Sequence, residues 1–365
     1  MKEYDSVEIA DAAGARVALG LSEHDEYFRP WTEALGLLEA PFEPLDIPEG
    51  DRLDVLLERL KIPREDHAEL TAALGEICEP GTAWRWLLDR TVRDTVNWLD
   101  KLRDSERPVV PDGLMVHHLG AAGRWFHVVA NLAAVSQVRA FHERHRIPEE
   151  VSWASLAILG EKVAIHRRST GHGGLVHLKG VAEAFRGRRY RLGQLDHVWC
   201  RTGVVVELPH GTGSLTTVPD YAWAEGVDRF FNDRLGEYGS GVKLGYNAMD
   251  IRAIGFFLDP ALEEHLPEDH ELSRFANTLV RTYSRTLRAS EPDERGLSDS
   301  DRSALEYAFG LLVSNVEQAL ALPTESAVQR AVTDHLRAGR HWGTASAAHP
   351  IFARSTREAN TVNQP

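Results

Sequence analysis

Through the first half of the chain, apolar residues recur at three- and four-residue spacing, the pattern of amphipathic helices. It predicts short helices in YFRPWTEALGLLEA, from Tyr27, and in DRLDVLLERL. A longer one follows in AWRWLLDRTVRDTVNWLDKLR, where Trp84, Leu88, Val92, Val96 and Leu99 fall on one face. LMVHHLGAAGRWFHVVANLAAVSQVRAFHERHR continues the series, and in WASLAILGEKVAIHRR a stripe joins Trp153, Leu156, Leu159 and Val163. Residues 1–25 are mixed and acidic and read as a flexible start, and 26–150 as an all-helical domain.

After Gly173 and Gly174 the period shortens toward two. RRYRLGQLDHVW places Tyr190 and Leu192 on one face, then Leu195 and Trp199, with Gly193 at the change of phase predicting a bulge. GVVVEL is a β-branched run suited to a central strand. PHGTGSLTTVPD is a loop, YAWAEGVDRFFNDRL a helix, VKLGYNAM an alternating strand, and AIGFFL a buried strand ended by Asp259-Pro260. A charged loop from Glu291 to Arg302 leads to helices SALEYAFGLLVSNVEQAL and ESAVQRAVTDHLRAG. The pattern therefore predicts an α+β protein: a helical domain over 26–150, a mixed α/β domain over 151–345, and a loose tail over 346–365.

Charge sharpens this picture. The chain has 365 residues and a net charge of −14, which argues against bulk nucleic acid or an anionic membrane as partner. Residues 1–70 hold 18 acidic and 7 basic side chains, whereas residues 161–193 hold 8 basic and 2 acidic. Lys162, Arg167, Arg168, Lys179, Arg186, Arg188, Arg189 and Arg191 thus form either a landing zone for a phosphate or a solvated basic face. Two cysteines, Cys78 and Cys200, make no disulfide framework. The start MKEYDSVEIADAAGARV lacks the features of a secretory signal, and no run of 18 apolar residues occurs, so a cytoplasmic location without a membrane span is expected.

The candidate chemistry centres on a strand, a Gly-x-Gly loop and a helix: Val204-Val205-Val206-Glu207, then His210-Gly211-Thr212-Gly213-Ser214, then a helix from near Asp220. Glycines let backbone approach a phosphate, and the first N–H groups of a helix favour an anion. An ordinary strand-to-helix loop is the competing interpretation. Arg168-Ser169-Thr170-Gly171-His172-Gly173-Gly174 has the R-x-x-G-x-G spacing of acyl-coenzyme A loops but follows a helix, which favours a helix cap and turn, with Arg167 and Arg168 in reach of a phosphate. Glu183, His177, Glu207, His210 and Tyr246 are candidates for proton transfer. His117-His118 in HHLGAAG lacks the Asp of a condensation-domain motif, since Ala122 stands there. His142 and His145 lie one turn apart without a third ligand, so a solvated helix face is expected and no metal. G-x-S-x-G and G-x-x-x-x-G-K-[ST] are absent.

Several blocks together resemble one family. GRWFHVVANLAAVSQVRAFHERHRIPEEVSWASLAILGEKVAIHRR is similar to the core of the helical N-terminal domain of two-domain actinobacterial acyltransferases, with its V-S-W-A-x-L and H-R-R segments. FRGRRYRLGQL, from Phe185 to Leu195, resembles the F-R-G-x-x-Y-x-L-G-x-L of that family's GNAT-like C-terminal domain. FFLDPALEEHLPEDHELSRF resembles its L-L-D-P segment, and LPTESAVQRAVTDHLRAGRHW its closing helix.

The resemblance implies an all-helical N-terminal domain and a GNAT-like acyltransferase domain. It further implies transfer of an acyl group from a pantetheine thioester, on coenzyme A or an acyl carrier protein, to an amine of a small molecule or peptide in specialised metabolism. On this reading Gly211, Thr212, Gly213 and Ser214, with Arg167 and Arg168, meet the cofactor phosphates. The pantetheine arm lies between VVVELP and KLGYNA, and Glu207, His210 or Tyr246 moves the proton. One departure is plain: where the family shows C-H-S-W, this chain has Ala253-Ile254-Gly255-Phe256. Two alternatives therefore remain, a GNAT-like fold that hydrolyses, decarboxylates or cyclises a bound thioester, and a non-catalytic carrier-protein or ligand-binding protein.

Overall fold

Asp11 accepts a hydrogen bond from the Gly14 N–H and so caps the first helix, α1 (Ala12–Ala18), inside the stretch expected to be flexible. The computed structural model describes residues 11–21, 25–38, 44–99, 116–175, 178–200, 203–209, 215, 221–239, 250–287 and 291–348. The chain forms two compact units, Met1–Arg189 and Tyr190–Pro365. The division falls at Arg189/Tyr190, not at the predicted 150/151, so the helices that follow Glu149 belong with the helical unit.

The first unit continues with α2 (Asp25–Gly36), α3 (Asp51–Arg59), α4 (His67–Ile77), α5 (Ala83–Asn97), α6 (Gly120–Arg144), α7 (Glu149–Leu156), α8 (Ile158–Thr170) and α9 (Lys179–Phe185). α6 is its axis: Trp125, Phe126, Val128, Val129, Leu132, Ala134, Val138 and Phe141 bury it nearly all round, as a helix packed on several neighbours requires. It packs on α4, α5, α7 and α9. WASLAILGEKVAIHRR is two helices broken at Ala157, and its stripe holds only in part. Leu156, Leu159 and Val163 are buried, while Trp153 is half-exposed between the guanidinium groups of Arg59 and Arg139, 4.8 and 4.9 Å from its ring.

His142 and His145 are buried around Phe141 rather than solvated, with Phe141 and His145 ring centroids 4.4 Å apart. Their flanking residues are polar enough to suggest a wet face, but α7 covers them: His142 Nδ1 meets Ser152 Oγ at 2.6 Å. Burial pushes the His142 pKa down to about 3.

The second unit is a six-stranded mixed sheet with helices. β1 (Arg189–Leu192) and β2 (Leu195–Cys200) are sheet neighbours joined by a two-residue turn. Gly193 sits there at φ +64°, a conformation glycine takes without strain, so the predicted bulge is a hairpin turn. β3 (Gly203–Glu207), α10 (Tyr221–Gly239), β4 (Asp250–Gly255), α11 (Glu271–Asn277), β5 (Val280–Leu287), α12 (Asp299–Phe309), α13 (Val316–Ala321), α14 (Ala327–Arg337) and β6 (Thr344–Ala348) complete the unit. The strand order is β1-β2-β3-β4-β6-β5. β3 runs parallel to β4, and the β2–β3, β4–β6 and β5–β6 pairs are antiparallel.

Three further expectations change. AIGFFL is not one strand, because Phe256–Leu258 turns into a short 3-10 segment after Gly255. SALEYAFGLLVSNVEQAL is two helices, since Gly310 caps α12 in the left-handed region and Asn315 caps α13 anew. The tail expected to be loose from residue 346 contributes the end of β6, an inner strand of the sheet. VKLGYNAM lies outside the described residues.

On one face of the sheet α10 packs by its aromatic side chains. Phe230 and Phe231 stand edge-on to Tyr190 at 5.4 and 5.9 Å, Phe231 meets Trp199 at 6.0 Å, and Trp223 meets His197 at 5.9 Å. Burial pushes the Tyr190 hydroxyl pKa up.

Candidate functional site

The parallel pair at the middle of the second unit supplies the site's frame. Gly203, Val204, Val205 and Val206 are in register with Asp250, Ile251, Arg252 and Ala253. β3 then goes on to Glu207, opposite Asp196 of β2, and β4 to Gly255, opposite Ala345 of β6. Leu208-Pro209 ends β3 because proline has no N–H for a ladder, and the 3-10 turn from Phe256 ends β4. Beyond the Val206–Ala253 pair the two strands are therefore each tied to an outer neighbour, which leaves an edge of β3 facing an edge of β4.

Alternation decides what lies at that edge. Val204 and Val206 are buried with Ile251 and Ala253, while Val205 and Glu207 are half-buried on the opposite face. Glu207 stands directly across from Asp196, and two carboxylates so placed repel one another. Arg191 offsets this: its Nε and Nη2 donate to the two Asp196 oxygens at 2.7 and 3.1 Å, with both side chains almost fully buried. A half-buried carboxylate and a braced acidic neighbour thus meet at one end of the parallel pair, just past its last paired residues. Sequence reasoning reached Glu207 but not its Asp196–Arg191 neighbour, whose only trace is an acid at a pairing position of an alternating strand.

His210, Gly211, Thr212, Gly213, Ser214 and Tyr246 lie outside the described residues, as does His177. The helix they were expected to precede is present, with α10 starting at Tyr221. Ala253 and Phe256, in the segment that departs from C-H-S-W, are buried, and Phe256 packs against Tyr307 and Trp342 at 5.5 and 5.9 Å. That segment presents apolar side chains and no ionisable group.

The basic stretch is largely used for bracing. Arg167 Nε donates to the fully buried Asp66 at 2.7 Å, and that pairing raises the Arg167 pKa. Arg186 pairs with Asp94 at 3.1 Å and Arg189 with Glu183 at 2.6 Å, which also occupies the candidate Glu183. Lys162 is buried, and Arg168 is exposed on α8. The second glycine-rich stretch is a helix end: Gly171, at φ +77°, caps α8 by donating to Arg167 O at 2.8 Å. That end of a helix carries carbonyl groups and partial negative charge, the wrong polarity for a phosphate.

Beside this turn, His117 meets Leu175 O at 2.6 Å, and its ring lies 5.3 Å from that of His166. Burial, with His117 and Arg124 adding to it, pushes the His166 pKa down to about 4. The Cys78 thiol is pushed up to about 11 by burial, which keeps it protonated and unreactive. Among the described residues no group of three or more His, Cys, Asp or Glu could hold a metal, and no helix is long and apolar enough to cross a membrane.

Comparison with known proteins gives this frame a lineage. Residues 51–187 match the model of the N-acyltransferase N-terminal domain, and residues 224–348 that of the GNAT-like C-terminal domain. No curated protein matches the sequence significantly. Among solved structures, an acyltransferase in complex with decanoyl-CoA is 30% identical, with a TM-score of 0.74 over 93% of this chain and 98% of that one. An acyltransferase in complex with CoA and 10C-teicoplanin is 34% identical, with a TM-score of 0.74 over 93% of this chain and all of that one. The same figures describe an acyltransferase in complex with decanoyl-CoA and teicoplanin. With both domain models matched in order and relatives of this identity covered end to end, the chain belongs to the two-domain acyltransferases that join an N-acyltransferase N-terminal domain to a GNAT-like C-terminal domain.

Proposed function

We propose that this protein moves an acyl group from acyl-coenzyme A to an amine of a small molecule or peptide in specialised metabolism. The observation that carries the reading is the 34% identity, over the whole of the other chain, with an acyltransferase crystallised with decanoyl-CoA and teicoplanin. Coenzyme A is the donor we favour over an acyl carrier protein, because the solved relatives hold the former. In this reading the phosphates meet Gly211, Thr212, Gly213 and Ser214 ahead of α10, and the pantetheine arm runs along the open edges of β3 and β4. Of the two arginines expected to meet a phosphate, Arg167 donates to Asp66.

The chemistry asks little of the protein beyond placement. A neutral amine attacks the thioester carbonyl, backbone N–H groups hold the oxyanion, and the nitrogen loses its proton to a carboxylate or imidazole as the thiolate leaves and is protonated. Glu207 is the acceptor we assign to that proton, with His210 and Tyr246 as its companions. Its position at the last residue of β3 supports the role, as does the absence of an ionisable side chain in Ala253-Ile254-Gly255-Phe256.

The test is direct. Purified protein is incubated with acyl-CoA donors from acetyl to palmitoyl and with amine acceptors that include teicoplanin, and thiol release is followed with mass spectrometry of the acceptor. An acceptor heavier by one acyl group is the expected result. Thiol release with no acylated amine would favour hydrolysis, and a protein that neither binds nor consumes any of these thioesters would refute the reading.

A further inference from the structure

β6 is led in by His341-Trp342-Gly343, which belongs to no helix or strand, yet its polar groups are taken in succession by two buried carboxylates from different elements. Asp301 lies in the capping box of α12. Its Oδ1 accepts from the Trp342 N–H at 2.8 Å, and its Oδ2 meets His341 Nδ1 at 2.8 Å and accepts from the Ser298 N–H at 2.8 Å. Asp259 follows the 3-10 turn that ends β4. It accepts from the Gly343 N–H at 2.6 Å and from the Ala261 N–H at 2.9 Å. One residue further, Thr344 Oγ1 and Ser300 Oγ are 2.8 Å apart.

The place of this clamp matters. Gly255 pairs with Ala345 and Ile254 with Ser346, so the Asp259–Gly343 bond adds one side-chain rung to the β4–β6 ladder just past its last backbone pair. The Trp342 ring is held at the same end, stacked on His335 at 4.1 Å and edge-on to Phe256 at 5.9 Å. Capping α12 needs only the bond to Ser298, and the further Asp301 bonds go to the segment that leads into β6. The segment so fixed, Gly255 to Asp259, starts where the paired part of β3 and β4 has just ended.

We propose that Asp259 and Asp301 are positioning residues for acyl transfer: they lock the end of β4, and thereby one rim of the opening beyond Val206–Ala253, in the geometry that receives the thioester. The inference rests on the acyl-CoA reading above. Neither carboxylate touches the reacting atoms; both act through backbone.

Asp259→Asn and Asp301→Asn test it, because each turns one accepting oxygen into an NH2 group that faces an N–H. With decanoyl-CoA and an accepted amine, kcat is expected to fall about 10- to 100-fold, as misplacement of a reacting group does. Affinity for free CoA, measured by calorimetry, is expected to stay within about threefold, since its phosphates rest elsewhere. Ser326→Ala removes the N-cap of α14, lowers Tm and serves as the control for destabilisation alone, with kcat unchanged. Should the Asn variants fail to fold, Ser300→Ala deletes only the contact to Thr344 and is expected to lower kcat about threefold or more with CoA binding kept. Variants that lose Tm but keep kcat, in an active wild type, would overturn this inference and leave the functional reading intact. A wild type inert toward every donor and acceptor would overturn both.

Discussion

The His166 ring makes the helical unit acid-sensitive in a way that can be calculated. It is only 3% exposed, neither ring nitrogen has a hydrogen-bond partner among the described residues, and the groups acting on it are His117, Arg124, His172 and Arg167. None is acidic, so nothing offsets the cost of charging it. Its pKa falls from the ordinary 6.5 to about 4. Between those values the unfolded chain binds a proton that the folded one does not, so stability is complete above pH 6.5, declines as pH falls, and levels off below about 4. At 1.36 kcal/mol per pH unit, the interval is worth at most about 3 kcal/mol, a sizeable part of the ~5–15 kcal/mol that holds a domain together. Replacing His166 by Gln removes the titration. Hydrogen–deuterium exchange of peptides from α6 and α8, followed from pH 7.5 to 4 and corrected for intrinsic exchange, reads this unit separately from the other. The wild type should lose protection on acidification more steeply than His166→Gln, the difference between them changing by about 3 kcal/mol across the window. Parallel profiles would show that the buried ring carries no such cost and refute the reasoning.

Three other outcomes follow from the second unit. Glu207→Gln should lower kcat by about 100-fold or more with CoA affinity kept, the scale of a lost proton acceptor, and an unchanged kcat would move that role elsewhere. Asp196→Asn leaves Arg191 buried against a neutral amide and should cost about 3 kcal/mol in urea unfolding of the sheet unit, because one partner of a buried pair is removed. Ala347→Glu puts a charge on a fully buried position of β6 and should abolish soluble expression or the cooperative unfolding transition, where an exposed Leu37→Glu should not.

Helices were the most legible part of the sequence because a buried stripe leaves a trace every third or fourth residue. The same trace cannot show where a helix breaks: Ala157 separates α7 from α8 without a Gly or Pro, and the stripe runs on through it. His142 and His145 look like a wet face from their own helix, yet Ser152 of α7 meets the one and the Phe141 ring lies against the other. Strands were read where branched residues gather, as in Val204-Val205-Val206. β6 is TASAA, in which only Thr344 favours a strand, and it exists because β4 and β5 both pair with it. β5, VRTYSRTL, mixes charged and polar residues with apolar ones and lacks the branched apolar run that marks β3. At the site, Glu207 was visible as the polar end of an apolar run. Asp196, Asp259 and Asp301 were not, since what distinguishes each is a partner 5 to 84 positions away.

The inner position of β6 bears on how the chain acquires its fold. β4 and β5 are separated in the sheet by a strand made after both, so the two cannot close on one another. Until residues 344–348 have emerged, each displays an open row of N–H and C=O groups, the arrangement that recruits strands from other molecules. During synthesis or refolding, the second unit should therefore be most exposed to aggregation in the interval before its last described strand arrives. Its slow step should be the long-range insertion of five small residues rather than the formation of any helix.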